Sequence, residues 1–140
     1  MGKLFYAVFK TARPQRWVRN LSLFAALVFT GELMNPTKFL QVALATVIFS
    51  LLSSTVYFFN DLVDAPLDRQ HPFKKKRPIA SGLIALPTAV FITVMGLFIS
   101  LLLAIKLSYF FFLMVLAYLI LQIVYTLKLK HVEIIDLLVI

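Results

Sequence analysis

The sequence predicts an all-α fold, a polytopic bundle of transmembrane helices. Three observations carry this: 61% of the 140 residues are hydrophobic, only 14% are charged, and several uncharged apolar runs reach the length of a membrane span. Soluble domains carry about 25% charged residues and lack such runs.

The elements follow in order. Leu4–Phe9 is a short apolar patch followed by Lys10, Arg13, Arg16 and Arg19, which is not the layout of a cleaved signal peptide. Asn20–Gly31 is apolar but short, and is expected to cross as a first helix with Arg19 snorkelling at one end and Glu32 at the other interface. Phe39–Asn60, Leu83–Ile105 and Leu107–Leu127 are free of charge. Each has roughly the 20 residues that cross hydrocarbon as a helix. The links Glu32–Lys38 and Lys106 are short, as between adjacent antiparallel helices. Ile134–Ile140 begins another apolar segment. The expectation is about four spans plus the start of a fifth, with residues 1–140 forming a single transmembrane domain that is the N-terminal part of a longer bundle.

A net charge of +8 invites a nucleic-acid reading, but the cations are distributed as membrane topology signals. Lys3, Lys10, Arg13, Arg16 and Arg19, then Arg69, Lys74, Lys75, Lys76 and Arg77, then Lys128 and Lys130 fall in alternate inter-helix segments; Lys38 and Lys106 fall on the other side. By the positive-inside rule the N-terminus and the loop after residue 60 are cytoplasmic, in a multi-pass protein of the cell membrane. The absence of cysteine excludes disulfides and thiolate metal sites.

One segment breaks the apolar pattern. Asn60–Arg69 reads NDLVDAPLDR and places Asp61, Asp64 and Asp68 directly after a long uncharged run. An ionised side chain at mid-bilayer costs about 2.5–3.5 kcal/mol, so the acids belong at the water boundary. At 100° per residue they project into a narrow sector of a helix. Clustered carboxylates suit magnesium, which prefers carboxylate, water and phosphate oxygens. Pro66 removes a backbone donor and pushes Ala65 out of helical geometry, so Asp68 is expected in a new turn. Five cations follow, Arg69, Lys74, Lys75, Lys76 and Arg77. Acids that hold a metal beside bases that take phosphate oxygens are what a magnesium-bound diphosphate requires. No glycine-rich phosphate loop or EF-hand spacing is present, and His71 and His131 are isolated.

Three stretches, Arg13–Asn20 (RPQRWVRN), Ser54–Asp61 (STVYFFND) and Asp68–Pro72 continuing through Arg77–Gly82 (RPIASG), resemble the UbiA superfamily of intramembrane transferases. They are most similar to its branch that moves phosphoribosyl groups onto polyprenyl phosphates. Tyr125, Leu129, Lys130 and Asp136 resemble the segment opening that family's fifth helix. The resemblance implies a bundle of about nine spans with a cavity open to the cytoplasm and a second aspartate motif in the later half. Arg16 stands where glutamine is common in the family, Arg19 where lysine is common, and Pro66 interrupts the acidic motif.

On this resemblance, phosphoribosyl pyrophosphate binds with Mg2+ on Asp61, Asp64 and Asp68, and Asn60 orients the cluster. Arg13, Arg19, Asn20, Tyr57, Arg69, Lys74, Lys76, Arg77, Tyr125, Lys130 and Asp136 are the candidate substrate contacts. The acceptor is a polyprenyl phosphate. The alternative enzyme ionises a polyprenyl diphosphate and transfers its carbon chain to an aromatic or other acceptor, with Tyr57, Phe58 and Phe59 shielding the cation. Two readings without enzymatic activity remain, a cation-binding or transport element and an inert piece of a bundle.

Overall fold

The computed structural model describes residues 2–128. They form five α-helices, α1 (Gly2–Ala12), α2 (Ala25–Phe29), α3 (Pro36–Gln70), α4 (Leu86–Leu107) and α5 (Tyr109–Leu127), with 3-10 helices at Pro14–Phe24 and Lys74–Lys76. No strand occurs among the described residues. The expected fifth segment, Ile134–Ile140, lies outside them.

α3, α4 and α5 are long and apolar enough to cross a membrane, matching the three long uncharged runs. The expected first span over Asn20–Gly31 is not one continuous α-helix. Its first part belongs to the 3-10 helix, and α geometry holds only over Ala25–Phe29. The reason lies in what flanks it: Pro14 starts the tight helix, and Trp17 and Asn20 are tied sideways to serines of α3. At about 2.0 Å per residue over 20–24 and about 1.5 Å over Ala25–Phe29 this stretch rises about 18 Å, short of the roughly 30 Å hydrocarbon layer, and among the described residues only α3, α4 and α5 are long and apolar enough to cross.

α3 organises the rest. Asn35 caps it, its Oδ1 accepting from the backbone N–H of Thr37 and Lys38 at 3.2 and 3.3 Å, with Pro36 in the first turn. Glu32 bonds Lys38 Nζ at 2.6 Å, and that bond holds its carboxyl below the usual carboxylate range. Contrary to expectation, the helix runs straight through Pro66 to Gln70. An internal proline costs about 3 kcal/mol. Here the next turn is held by burial of Ala65 and Asp68 and by Arg77, which joins Asp61 to Asp68 across the proline. Asp61 and Asp68, seven residues apart, therefore share one face. At 35 residues α3 extends about 52 Å, well beyond the hydrocarbon, so an end of it must stand in water.

Packing is inverted relative to a soluble protein. α4 turns its small and polar residues Ala89, Thr93, Ser100 and Ala104 inward and leaves Phe91, Val94 and Phe98 exposed. Membrane helices associate through small residues because lipid already satisfies large apolar ones. Gly96 is the tightest point: a Cβ there would lie 2.3 Å from Thr55 Oγ1. That hydroxyl is itself held by the Leu51 carbonyl at 2.9 Å. Gly96→Val is expected to force α3 and α4 apart and lower stability by about 1–3 kcal/mol. The unfolding midpoint of the purified chain in detergent measures this; an unchanged midpoint would refute the contact.

Two apolar clusters complete the core. One joins Ala7, Phe58, Ala65, Ile79, Ile84 and Ala89 at the acidic end of α3. The other joins Ile48, Leu52, Val56, Ala104, Val115 and Leu119 further along the bundle. α4 and α5 are linked by Ser108 alone. Gln41 and Val42 of α3 line one cleft with Leu107 and Ser108, so Lys38 and Lys106 share the end opposite the aspartates.

Candidate active site

At the acidic end of α3 a cavity of about 460 Å³ opens between α1, the 3-10 helix and the 73–78 loop. Its wall contains Lys10, Arg13, Arg16, Lys74, Lys76 and Arg77, with Asp61 the one acid among the lining residues. Such a wall selects a polyanion.

Each charged side chain has a structural reason to be there. Arg13 sits at the break between α1 and the 3-10 helix with φ 50° and ψ 56°, left-handed geometry that costs a non-glycine residue about 1–2 kcal/mol. Its guanidinium offsets this by bonding Asp61 Oδ1 at 2.9 Å and lying 4.8 Å from the Tyr57 ring centroid. Arg77 reaches in from the loop, and its Nη1 donates to Asp61 Oδ1 at 3.3 Å and Asp68 Oδ2 at 2.8 Å. Both carboxylates are 4% exposed, while Arg13 and Arg77 are 28% and 29% exposed. Among the described residues Arg77 bonds through Nη1, which leaves Nε and Nη2 as donors for a ligand. Two structural contacts hold the loop itself. Arg69 Nε donates to the Ala80 carbonyl at 3.3 Å, and His71 Nδ1 accepts from the backbone N–H of Phe73 and Lys74 at 3.2 and 3.3 Å.

A second cavity, about 280 Å³, lies alongside, lined by Arg16, Arg19, Asn20, Phe49, Ser53, Tyr57, Tyr118 and Gln122. Arg16 borders both cavities. In a 3-10 helix residues three apart eclipse one another. Arg13, Arg16 and Arg19 therefore form one column, Arg13 in the first cavity, Arg19 in the second and Arg16 between them. Arg19 donates to Tyr57 Oη at 2.7 Å. On the other side of the 3-10 helix an apolar groove of about 590 Å³ is lined by Trp17, Val18, Leu21, Val47 and Leu51.

The site thus gathers Arg13, Arg77, Lys74, Lys76 and Asp61, with Asp68 bridged to Asp61, while Arg19, Asn20 and Tyr57 border the neighbouring cavity. Asn20 is also structural, donating to Ser50 Oγ at 3.0 Å. Other expected residues fall elsewhere. Asn60 is bonded to the Thr126 hydroxyl of α5, so it fastens helices together. Arg69 is engaged with the loop backbone, and Tyr125 is half-buried in the last turn of α5. Lys130 and Asp136 lie outside the described residues. Lys10 and Arg16 are site residues that the pattern did not single out; the threefold spacing of Arg13, Arg16 and Arg19 carried the signal.

The three aspartates are not collected into a single metal site. Asp64 is half-buried one turn beyond Asp61, and among the described residues no three His, Cys, Asp or Glu side chains stand close enough together to hold a metal ion. The donor chemistry nevertheless fits magnesium brought in on a phosphate, since that ion usually takes one or two carboxylates, with waters and phosphate oxygens completing its shell.

Residues 21–140 match the model of the UbiA prenyltransferase family. The chain belongs to the UbiA family. It is similar to the decaprenyl-phosphate phosphoribosyltransferase of Mycobacterium tuberculosis (strain CDC 1551 / Oshkosh), at 35% identity over 99% of this chain and 47% of that protein. The enzyme of the same name from Mycolicibacterium smegmatis is 33% identical over 95% of the chain and 43% of its own length. Nodulation protein NoeC of Azorhizobium caulinodans is 29% identical over 96% and 44%. The UbiA chain described here spans about half the length of these curated relatives. The three α3 and loop residues of its ion-pair network, Asp61, Asp68 and Arg77, fall within the matched region; Arg13 precedes it.

Proposed function

We propose that the chain forms the donor-binding part of a membrane-embedded, magnesium-dependent transferase that moves a phosphoribosyl group from phosphoribosyl pyrophosphate to a polyprenyl phosphate. The observation carrying this reading is the cationic cavity closed on one side by the Arg13–Asp61–Arg77–Asp68 network. The names of the relatives supply the substrate class.

On this reading the pyrophosphate of the donor lies in the first cavity, its oxygens against Arg13, Lys74, Lys76 and Arg77. Of Asp61, Asp64 and Asp68, one or two would hold magnesium brought in on the donor, Asp61 foremost since it lines the cavity, and the ion when bound neutralises the diphosphate. The acceptor phosphate enters the second cavity beside Arg16, Arg19 and Tyr57, and its polyprenyl chain lies in the apolar groove past Trp17 and Leu21. An acceptor phosphate oxygen bonds to the anomeric carbon. The bond from that carbon to the pyrophosphate oxygen breaks, and its electron pair departs with pyrophosphate. The protein contributes positioning and fixed positive charge where negative charge develops. The cationic end of the bundle faces the cytoplasm on the positive-inside rule, since only Lys38 and Lys106 occupy the other end.

Membership of a prenyltransferase family favours a second reading, prenyl transfer from a polyprenyl diphosphate. The aromatic side chains do not support it. The Tyr57 face carries the Arg13 guanidinium, Phe58 is buried in the core, and Phe59 borders a small interior void of about 40 Å³. Purified full-length protein should turn over phosphoribosyl pyrophosphate with a polyprenyl phosphate in magnesium and release pyrophosphate. Turnover of a prenyl diphosphate alone would establish the second reading instead.

A further inference from the structure

Helix α1 gives the cavity wall only its last turn, and the rest of its surface is divided in an informative way. At 11 residues it extends about 16 Å, too short to cross a membrane. Ala7 and Thr11 are buried, Ala7 within the cluster that also holds Phe58, Ala65, Ile84 and Ala89. α1 is therefore fixed at the level of the cationic cavity, beside the acidic end of α3. The rest of its surface splits in two. At 100° per residue Phe5 and Phe9 lie roughly opposite the buried face, whereas Lys3, Tyr6 and Lys10 form a separate stripe about a third of a turn away. Phe5 is 75% exposed and Phe9 53%. Lys10 Nζ lies 5.9 Å from the Tyr6 ring centroid, within the charged stripe.

We propose that α1 is an interfacial docking helix for an anionic lipid surface. Phe5 and Phe9 enter the acyl boundary, and Lys3 and Lys10 meet acidic headgroups. Aromatic side chains flanked by lysines are the pattern of helices that lie in the membrane interface. Each basic residue near an anionic leaflet contributes about a fivefold preference for it. The same helix supplies Lys10 and Thr11 to the cavity wall and leads directly into Arg13. Lipid charge thus bears on the wall of the site. This inference does not depend on which group the protein transfers.

The chain has no cysteine, so single cysteines can be spin-labelled without altering any native one. Labels at positions 3, 5, 9 and 10 of the full chain would be tested in vesicles of phosphatidylcholine with and without phosphatidylglycerol. Labels at 5 and 9 should be reached by oxygen and shielded from a water-soluble nickel chelate, and labels at 3 and 10 the reverse. Phosphatidylglycerol should increase the shielding at 5 and 9 several-fold. Lys3→Glu with Lys10→Glu should abolish that increase while leaving the three spans inserted. Labels at 5 and 9 closed to both reagents, as under another protein surface or a second copy, would overturn the proposal. So would labels open to the nickel chelate, or shielding indifferent to lipid charge and to the lysine variants.

Discussion

Replacing Arg77 with glutamine should lower transfer by about a hundred- to a thousandfold, the loss typical when a fixed charge-stabilising donor is removed. It should also cost about 3 kcal/mol of stability, because breaking one partner out of a buried ion pair strands the others. The structure explains why one residue has both effects. Among the described residues Arg77 is the only side chain bonded to both Asp61 and Asp68, and it holds the 73–78 loop against the helix across Pro66. Without it two buried carboxylates on one face repel each other, and the last turn of α3 loses the contact that offsets its proline. Arg77→Lys keeps the charge as a compact ammonium without the planar fork. It should restore stability more than activity. Pyrophosphate release and the unfolding midpoint, followed for both variants, check this; an Arg77→Gln protein with ordinary turnover would show that the bridge is ornamental to catalysis.

The second large effect is expected at Asp61. It accepts from both Arg13 and Arg77 and lines the cavity directly. Asp61→Asn keeps the shape and removes a negative charge from a wall that otherwise carries six cations. Two opposite consequences follow. Simple anions such as pyrophosphate without metal should bind more tightly, since Arg13 and Arg77 are released toward the cavity. Magnesium-dependent transfer should fall at least about a hundredfold, since a carboxylate that holds the metal-bound donor is gone. The split matters because a purely structural role for Asp61 would weaken both together. Titration with pyrophosphate in the presence and absence of magnesium, beside the transfer rate, separates the cases.

Much of this was legible in the residues, and the exceptions have definite causes. The long uncharged runs gave the three spans because lipid imposes length and polarity on a helix with little latitude. The acid-then-base order pointed to one side of the cavity wall, where Asp61 meets Lys74, Lys76 and Arg77; the N-terminal cations Lys10 and Arg16 on the other side were not singled out. The course of α3 through Pro66 was not legible. Local propensity predicts a break there, and the contacts that override it come from Arg77, eleven residues further on. Nor was the 3-10 helix over Pro14–Phe24. The α period separates Arg13, Arg16 and Arg19 around a helix, whereas threefold geometry brings them together; Arg16, read as a departure because glutamine is common there in the family, borders both cavities. Asn60 was grouped with its acidic neighbours by position in the chain, but its partner is Thr126, on another helix and invisible to any local pattern.

The central claim is that these carboxylates and cations together hold a metal-bound diphosphate. Calorimetric binding of phosphoribosyl pyrophosphate to the purified full-length protein, with and without magnesium, tests it most directly when the wild type is compared with an Asp61→Asn, Asp68→Asn double variant. Saturable binding that requires magnesium in the wild type and loses that requirement in the double variant is the predicted result. Binding of equal strength with and without magnesium, or unaltered by the double substitution, would contradict it.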